Sequence, residues 1–452
     1  MDISFYGATG TVTGSKYLVD DGDASALIDC GLFQGFKQIR QRNWQGLPFS
    51  AKSVRSVVLS HAHIDHSGAL PLLVKNGYKG RIYCTKPTAE LCAIMLPDAA
   101  HLQEEEARYA NRRGFSKHNP ALPLFTVEDA TKALSHLVPV DFDERIRLTP
   151  TTTAVLKPSG HILGAAMIML ESAGQRLLFS GDVGRHDDPV MRPPVHIDHA
   201  DHLVLESTYG DRRHSPQNAE TELAEHLGRT FARGGVVVVP AFAVGRVQIL
   251  LHLLAKLKNQ GKLSGIPIYL NSPMAVDATR IYQAYRALHR LTVEECRDAC
   301  NVAEFVNSPE DSKALNSRKG PMIIVAASGM ATGGRVVHHL KAFAPDPKNL
   351  ILFSGFQAGG TRGAAMVNGA EFIRIHGQDI PVRAQVANLE SLSAHADYVD
   401  ILRWLEGFER PPKATFLTHG EPKACDELRQ KLEHGLGWNC YVPDYRETVR
   451  LA

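Results

Sequence analysis

Apolar residues along this chain follow two rhythms, and the change between them divides it. Through about the first 210 residues, short aliphatic runs alternate with turns marked by glycine. Residues 3–6, 15–19 and 24–28 read as strands separated by Gly7, Gly10, Gly14 and Gly22. Residues 54–59 read as a buried strand and 67–74 as the start of a helix. The spacing predicts two further helices, over 88–96 and 99–113, and a proline-broken loop over 115–125. Strand character returns at 152–156, 165–171, 175–180 and 203–205.

From about residue 211 the pattern becomes a regular strand–helix alternation. Helices are predicted over 217–233, 246–259 and 275–288, with strands at 235–240, 266–270, 321–327 and 350–353. Such alternation implies a self-contained parallel α/β unit. After about 386 the earlier rhythm resumes, with a helix opening near Asp397 and a strand at 414–417.

Composition narrows the class. Hydrophobic content of 44% and charged content of 22% are ordinary for a globular chain, and the net charge of +2 advertises no polyanion partner overall. Any nucleic-acid binding must therefore come from a local surface. The seven cysteines show no paired framework, which points to a reducing compartment. The N-terminus reads as a strand and not as a signal peptide, and no apolar run approaches the roughly 20 residues of a membrane span. The expectation is a cytoplasmic protein with no membrane partner.

The chemistry concentrates where strands end. His61-Ala-His63-Ile-Asp65-His66 follows the 54–59 strand and places four potential metal ligands in six residues. Read as an extended turn, it puts His61 and His63 on one side and Asp65 and His66 one step further on. Imidazoles suit zinc and a carboxylate balances charge, so the turn is able to serve two neighbouring ions. The plain alternative is a His-rich surface loop. Further candidates lie in other strand-end turns: His161 between glycines, Asp182 after Gly181 and placed to bridge, and His419 as a late ligand for a second ion.

This motif series resembles the metallo-β-lactamase superfamily and, more narrowly, the β-CASP nucleases, which include RNases of the J type. Asp29, the His61–His66 motif, His161 and Asp182 match the superfamily series. Glu206, His395 in Ser-Ala-His-Ala-Asp and His419 in Thr-His-Gly-Glu match the narrower group. The resemblance spans essentially the whole chain. It implies a metallo-β-lactamase αββα sandwich, residues 1–208 and 388–452, with an α/β β-CASP domain inserted at 209–387. Extra terminal RNA-binding domains are not expected. It also implies two zinc ions, one held by His61, His63, His161 and Asp182, the other by Asp65, His66, Asp182 and His419.

The function implied is zinc-dependent hydrolysis of single-stranded RNA, internally and with trimming from the 5′ end as a further expectation, with Asp182, His395 and Glu206 as the catalytic set. His395 suits the role of general acid, with Glu206 orienting and charging it. Asp29 suits bracing the ligand imidazoles better than binding metal. In the inserted domain, Ser328, Gly329, Gly333 and Gly334 are candidates for a backbone phosphate nest, and Arg246, Arg335 and Arg362 for bidentate phosphate contacts. A DNA-directed nuclease is the main alternative. A thioester or lactam hydrolase would not need the inserted domain, and a non-catalytic RNA scaffold would not need every ligand. The oligomeric state stays open, with a homodimer among the options.

Overall fold

In the computed structural model, which describes residues 1–114 and 116–451, the chain forms two compact units. Phe115, at the start of the expected loop, lies outside the described residues. One unit comprises Met1–Arg213 and His395–Ala452, the other His214–Ala394.

The first unit is a sandwich of two seven-stranded sheets. One runs Thr448–Arg450, Asp2–Phe5, Tyr17–Asp20, Ser25–Ile28, Val54–Val58, Arg81–Thr85 and Leu137–Val140 in spatial order. The other runs Cys440–Tyr441, Ala414–Thr418, His202–Glu206, Gln175–Phe179, Ala166–Ser172, Thr152–Pro158 and Arg145–Arg147. Alternate residues of both sheets share one core: Ile3, Phe5, Tyr17 and Val19 from the first, Ile168, Leu170, Phe179 and Phe416 from the second. This period-two alternation is what the short runs encode, and truncating a ring such as Phe179 there should cost about 3–5 kcal/mol. A second cluster joins the 202–206 and 414–418 strands to the helices Tyr398–Leu405 and Pro422–Leu436 through Leu205, Leu417, Ile401 and Leu428. The strand Ala414–Thr418 therefore lies in the same unit as Val54–Val58, paired in parallel with His202–Glu206.

Two local expectations are corrected. The helices expected over 88–96 and 99–113 are one helix, Lys86–Arg113, running through Pro97. Its N-cap Thr85 accepts the Thr88 N–H, and its first half buries Leu91, Cys92, Met95 and Leu96, so packing carries the helix past the residue that should break it. The metal-candidate turn is also not extended throughout. It becomes helical at Ile64, with Asp65 and His66 inside the short helix Ile64–Ser67. The helix Val127–Leu134, closed by a capping box of Thr126 and Asp129, went unanticipated.

The second unit is a six-stranded sheet in the order Glu304–Phe305, Ile268–Asn271, Met322–Ala326, Val236–Pro240, Leu350–Phe353 and Gln385–Asn388, every pair parallel. Its four inner strands, such as Val236–Pro240, are buried at every position, as expected when helices cover both faces. Among the described residues, no helix is long and apolar enough to cross a membrane.

Candidate metal centre

The site is built where strands of the first unit end. Asp29 closes the strand Ser25–Ile28 in a left-handed conformation, φ 56°, which Asp tolerates better than most residues. Its buried carboxylate accepts the Ser60 N–H and the Ser60 hydroxyl, both at 2.7 Å, and His66 Nδ1 at 2.7 Å. The Ser60 oxygen also lies 3.0 Å from His61 Nδ1. With its own proton donated to Asp29, that oxygen accepts, so His61 carries its proton on Nδ1 and presents a lone pair on Nε2.

His419 is fixed in the same way. It also has positive φ, 51°, and its N–H donates to the Ala8 carbonyl. Its Nδ1 lies 3.0 Å from the Thr208 hydroxyl, which donates to Glu206 Oε2 at 2.6 Å. The Nε2 lone pair of His419 is thereby aimed at the site. Gly181 is required beside Asp182: its φ is 53°, and a Cβ there would press on the Ser60 Cβ at 2.9 Å.

Two donor groups result. In the first, His63 Nδ1 lies 3.1 Å from His61 Nε2 and 3.2 Å from His161 Nε2, and Asp182 Oδ2 is 3.4 Å from both Nε2 atoms. In the second, His66 Nε2 is 3.1 Å from His419 Nε2 and 3.2 Å from Asp182 Oδ1, and Asp65 Oδ2 is 3.5 Å from His419 Nε2. A tetrahedral ion with bonds of 2.0–2.1 Å sets its donor atoms about 3.3–3.4 Å apart. The cluster has that spacing at both poles, with one oxygen of Asp182 facing each. Imidazole lone pairs turned on one another at this range repel unless a cation lies among them, and Oδ1 of Asp182, which faces the second donor group, is buried without a hydrogen bond. The residues fit a metal centre.

The electrostatics fit the first donor group, whereas at the second, burial would lower His66 and His419 but the carboxylates around them, Asp182 foremost, raise both. Burial is the largest effect on His61 and His161 and lowers both, and it pushes His63 down to about 3, so all three stay neutral, as metal binding needs. Burial alone would raise Asp182, but His419, His66 and His61 outweigh it and hold the carboxyl well below its ordinary range.

His395 stands apart. It belongs to neither donor group. Its Nδ1 lies 3.1 Å from Glu206 Oε2 and 3.8 Å from Asp182 Oδ2, and its side chain keeps 13% exposure where Asp182 and His161 are sealed. Glu206 comes within ligand range of Asp182 and His419, but its oxygens already accept the Val183 N–H and the Thr208 hydroxyl.

In the second unit, Arg246, Arg335 and Arg362 each have partners within the protein. Arg246 is buried, its Nη1 on the Leu392 carbonyl. Arg335 donates to Asn271 Oδ1 and to the Val306 and Asn307 carbonyls, and Arg362 to the Arg374, Ala331 and Thr332 carbonyls. These forks tie loops together, because irregular backbone leaves carbonyls that need donors. Ser328, Gly329, Gly333 and Gly334 lie in one loop between the strand Met322–Ala326 and the helix Val336–Phe343. There Gly329 packs so tightly on the Phe242 ring that a Cβ would sit 2.5 Å from it. Sequence reasoning missed Ser60 and Thr208. Each is a hydroxyl inside a motif already singled out, one residue before His61 and two after Glu206.

Fold and donor set together define a metal-dependent hydrolase of the metallo-β-lactamase type. The metallo-beta-lactamase superfamily matches residues 9–221, the Beta-Casp domain 247–366, and the Zn-dependent metallo-hydrolase RNA specificity domain 379–443. The chain is 38% identical over 431 residues to Ribonuclease TTHA0252 of Thermus thermophilus, covering 93% of each chain. It is 32% identical to an RNase J-like protein of Methanocaldococcus jannaschii, covering 93% of this chain and 92% of that one. The chain belongs to the β-CASP family of the metallo-β-lactamase superfamily. A crystal structure of a protein of unknown function from Enterococcus faecalis shares the fold, with a TM-score of 0.54 at 15% identity over 100% of this chain and 99% of that one.

Proposed function

We propose that this chain is a ribonuclease hydrolysing phosphodiester bonds of single-stranded RNA at a two-zinc centre. His61, His63, His161 and Asp182 would hold one ion, and Asp65, His66, His419 and Asp182 the other. Two bound zinc ions supply positive charge against the phosphodiester and lower the pKa of a water towards neutrality. Asp182 steers the proton of the attacking water. As the phosphorus–oxygen bond to the leaving 3′-hydroxyl breaks, that oxygen takes a proton from His395. Glu206, on Nδ1 of His395, leaves Nε2 to carry it. The phosphate nest proposed for Ser328, Gly329, Gly333 and Gly334 rests on two left-handed residues in that loop, Ala331 and Gly334. Seven free cysteines suit a reducing cytoplasm.

The observation that carries the reading is the placement of His395: held by Glu206, beside Asp182, and outside both donor groups. A hydrolase of activated esters has no need of such an acid. The names of the ribonuclease relatives favour RNA. The test is incubation of zinc-loaded protein with end-labelled RNA and DNA oligomers bearing 5′-hydroxyl or 5′-phosphate ends. Internal fragments of RNA, or release of single nucleotides from its 5′ end, are expected. Fully loaded protein that leaves RNA intact would refute the proposal.

A further inference from the structure

Between Asp29 and Asp65 the chain has no acidic residue, yet it carries Lys37, Arg40, Arg42, Lys52 and Arg55. In a chain of net charge +2, that is a local excess. Two large aromatic side chains stand out of the same stretch, Phe36 at 57% and Trp44 at 61% exposure. Neither contributes to the core.

The stretch is ordered. Asn43 Oδ1 accepts the Phe33 N–H at 2.9 Å, and its Nδ2 donates to the Phe33 carbonyl at 2.8 Å, closing residues 33–43 into a loop. The helix Lys37–Gln41 and the turn Arg42–Trp44 fill that loop, so both rings project from fixed backbone. Arg42 lies between two aromatic faces, 5.4 Å from the Phe33 centroid and 4.2 Å from that of Tyr445. Its Nη1 is buried with no hydrogen-bond partner, and the residue helps line a cleft with Tyr6, Lys16, Phe33, Asn43 and Tyr445. A stacked guanidinium with an unmet donor is a receptor for an oxyanion. Glu447, in the facing turn, already accepts the Tyr441 hydroxyl and the Asp444 N–H.

The loop also starts at the metal centre. The Leu32 N–H donates to the Ile64 carbonyl at 2.9 Å, and Gly31 packs so closely that a Cβ would lie 1.5 Å from the Asp65 carbonyl oxygen.

We propose that residues 33–49, with Tyr445, form a stacking surface for single-stranded RNA in the first unit. Phe36 and Trp44 take base faces, and Arg42 takes a phosphate. The inference rests on the ribonuclease reading and adds a binding surface to it. Cations interleaved with exposed rings fit a single strand, whose bases are open to stacking. A duplex hides its base faces, and an acidic peptide would use the cations and leave the rings idle.

The experiment uses zinc-loaded full-length protein and a fluorescein-labelled oligouridylate of roughly 20 nucleotides. Phe36→Ala with Trp44→Ala should weaken binding at least about fivefold, while Trp44→Phe, which keeps a ring, stays within about twofold. Arg42→Gln should lower the salt dependence of binding by about one counterion. Turnover of bis(nitrophenyl) phosphate should not change, which shows the metal centre intact. Trp404 and Trp438 are buried, so RNA should quench the emission of Trp44, and Trp44→Phe should abolish that quenching. Unchanged RNA affinity in the double variant overturns the proposal, and so does an equal loss of affinity for polyglutamate, which has no bases to stack on the rings. Protein that binds RNA through these residues and never cuts it refutes the ribonuclease reading and leaves the surface standing. RNA cut normally, with neither affinity nor emission responding, does the reverse.

Discussion

His66 Nδ1 lies 2.7 Å from Asp29 Oδ2, a contact sealed from solvent on both sides. Asp29 thus fixes which imidazole nitrogen of His66 faces the second donor group. Asp29→Asn puts an amide NH2 where three donors converge and loses that control. Zinc affinity should fall about 10–100-fold, as is usual when a partner behind a ligand is lost. Competition against a chromophoric chelator measures it, and wild-type affinity would show that Asp29 only braces the turn.

Asp182→Asn keeps the size of the side chain and removes the charge that faces both donor groups. Elemental analysis should find metal lost from at least one of them, with turnover falling in parallel. Full occupancy with full activity would remove Asp182 from the site.

His395→Ala should leave metal content and RNA affinity nearly intact and slow RNA cleavage by about 10²–10⁴-fold, the usual contribution of a general acid. Glu206→Gln should lose less, in the same direction. A nitrophenyl phosphodiester has a leaving group that needs little protonation, so it should suffer far less from His395→Ala. Loss of metal, or equal loss on both substrates, would make His395 a ligand or a structural residue.

Asp21 gives a prediction away from the site. Burial alone would raise its carboxyl, but the hydroxyls of Thr149, Thr152 and Thr151 and the Ala24 N–H outweigh it and hold the group well below the carboxylate range. These bonds tie a turn of one sheet to the start of the strand Thr152–Pro158 in the other. A carboxyl depressed by folding stabilises above its unfolded pKa of about 3.9 and loses that contribution as pH falls. Asp21→Asn should therefore cost roughly 1–3 kcal/mol at neutral pH, and the difference should shrink steadily below about pH 4. Chemical denaturation of both proteins across that range checks it, and a pH-independent gap would count against the ionised form.

Much of the candidate centre was legible because its donors are local signals. His61, His63, Asp65 and His66 share one turn, and His161, Asp182 and His419 each follow a strand. The rest depended on partners that sequence does not display. Arg246, Arg335 and Arg362 announce a cation, but the carbonyls they meet come from distant loops, so a phosphate fork and a loop tie look identical in one dimension. Pro97 misled for a related reason: buried neighbours carry the helix past it. Ser60 and Thr208 stayed silent because a hydroxyl gains meaning only from the imidazole beside it.

The strand His202–Glu206 pairs with Gln175–Phe179 on one side and with Ala414–Thr418 on the other. During synthesis its second partner emerges only after the whole inserted unit. At about 5–20 residues per second, roughly 200 intervening residues leave that edge open for about 10–40 s. A growing polypeptide thus exposes a buried-type strand, LVLE at 203–206, to any neighbouring edge for that interval. The second unit can complete its own sheet meanwhile, since all six of its strands lie within residues 214–394. The nascent chain is left without His419, and so without its second donor group, until that partner strand is made.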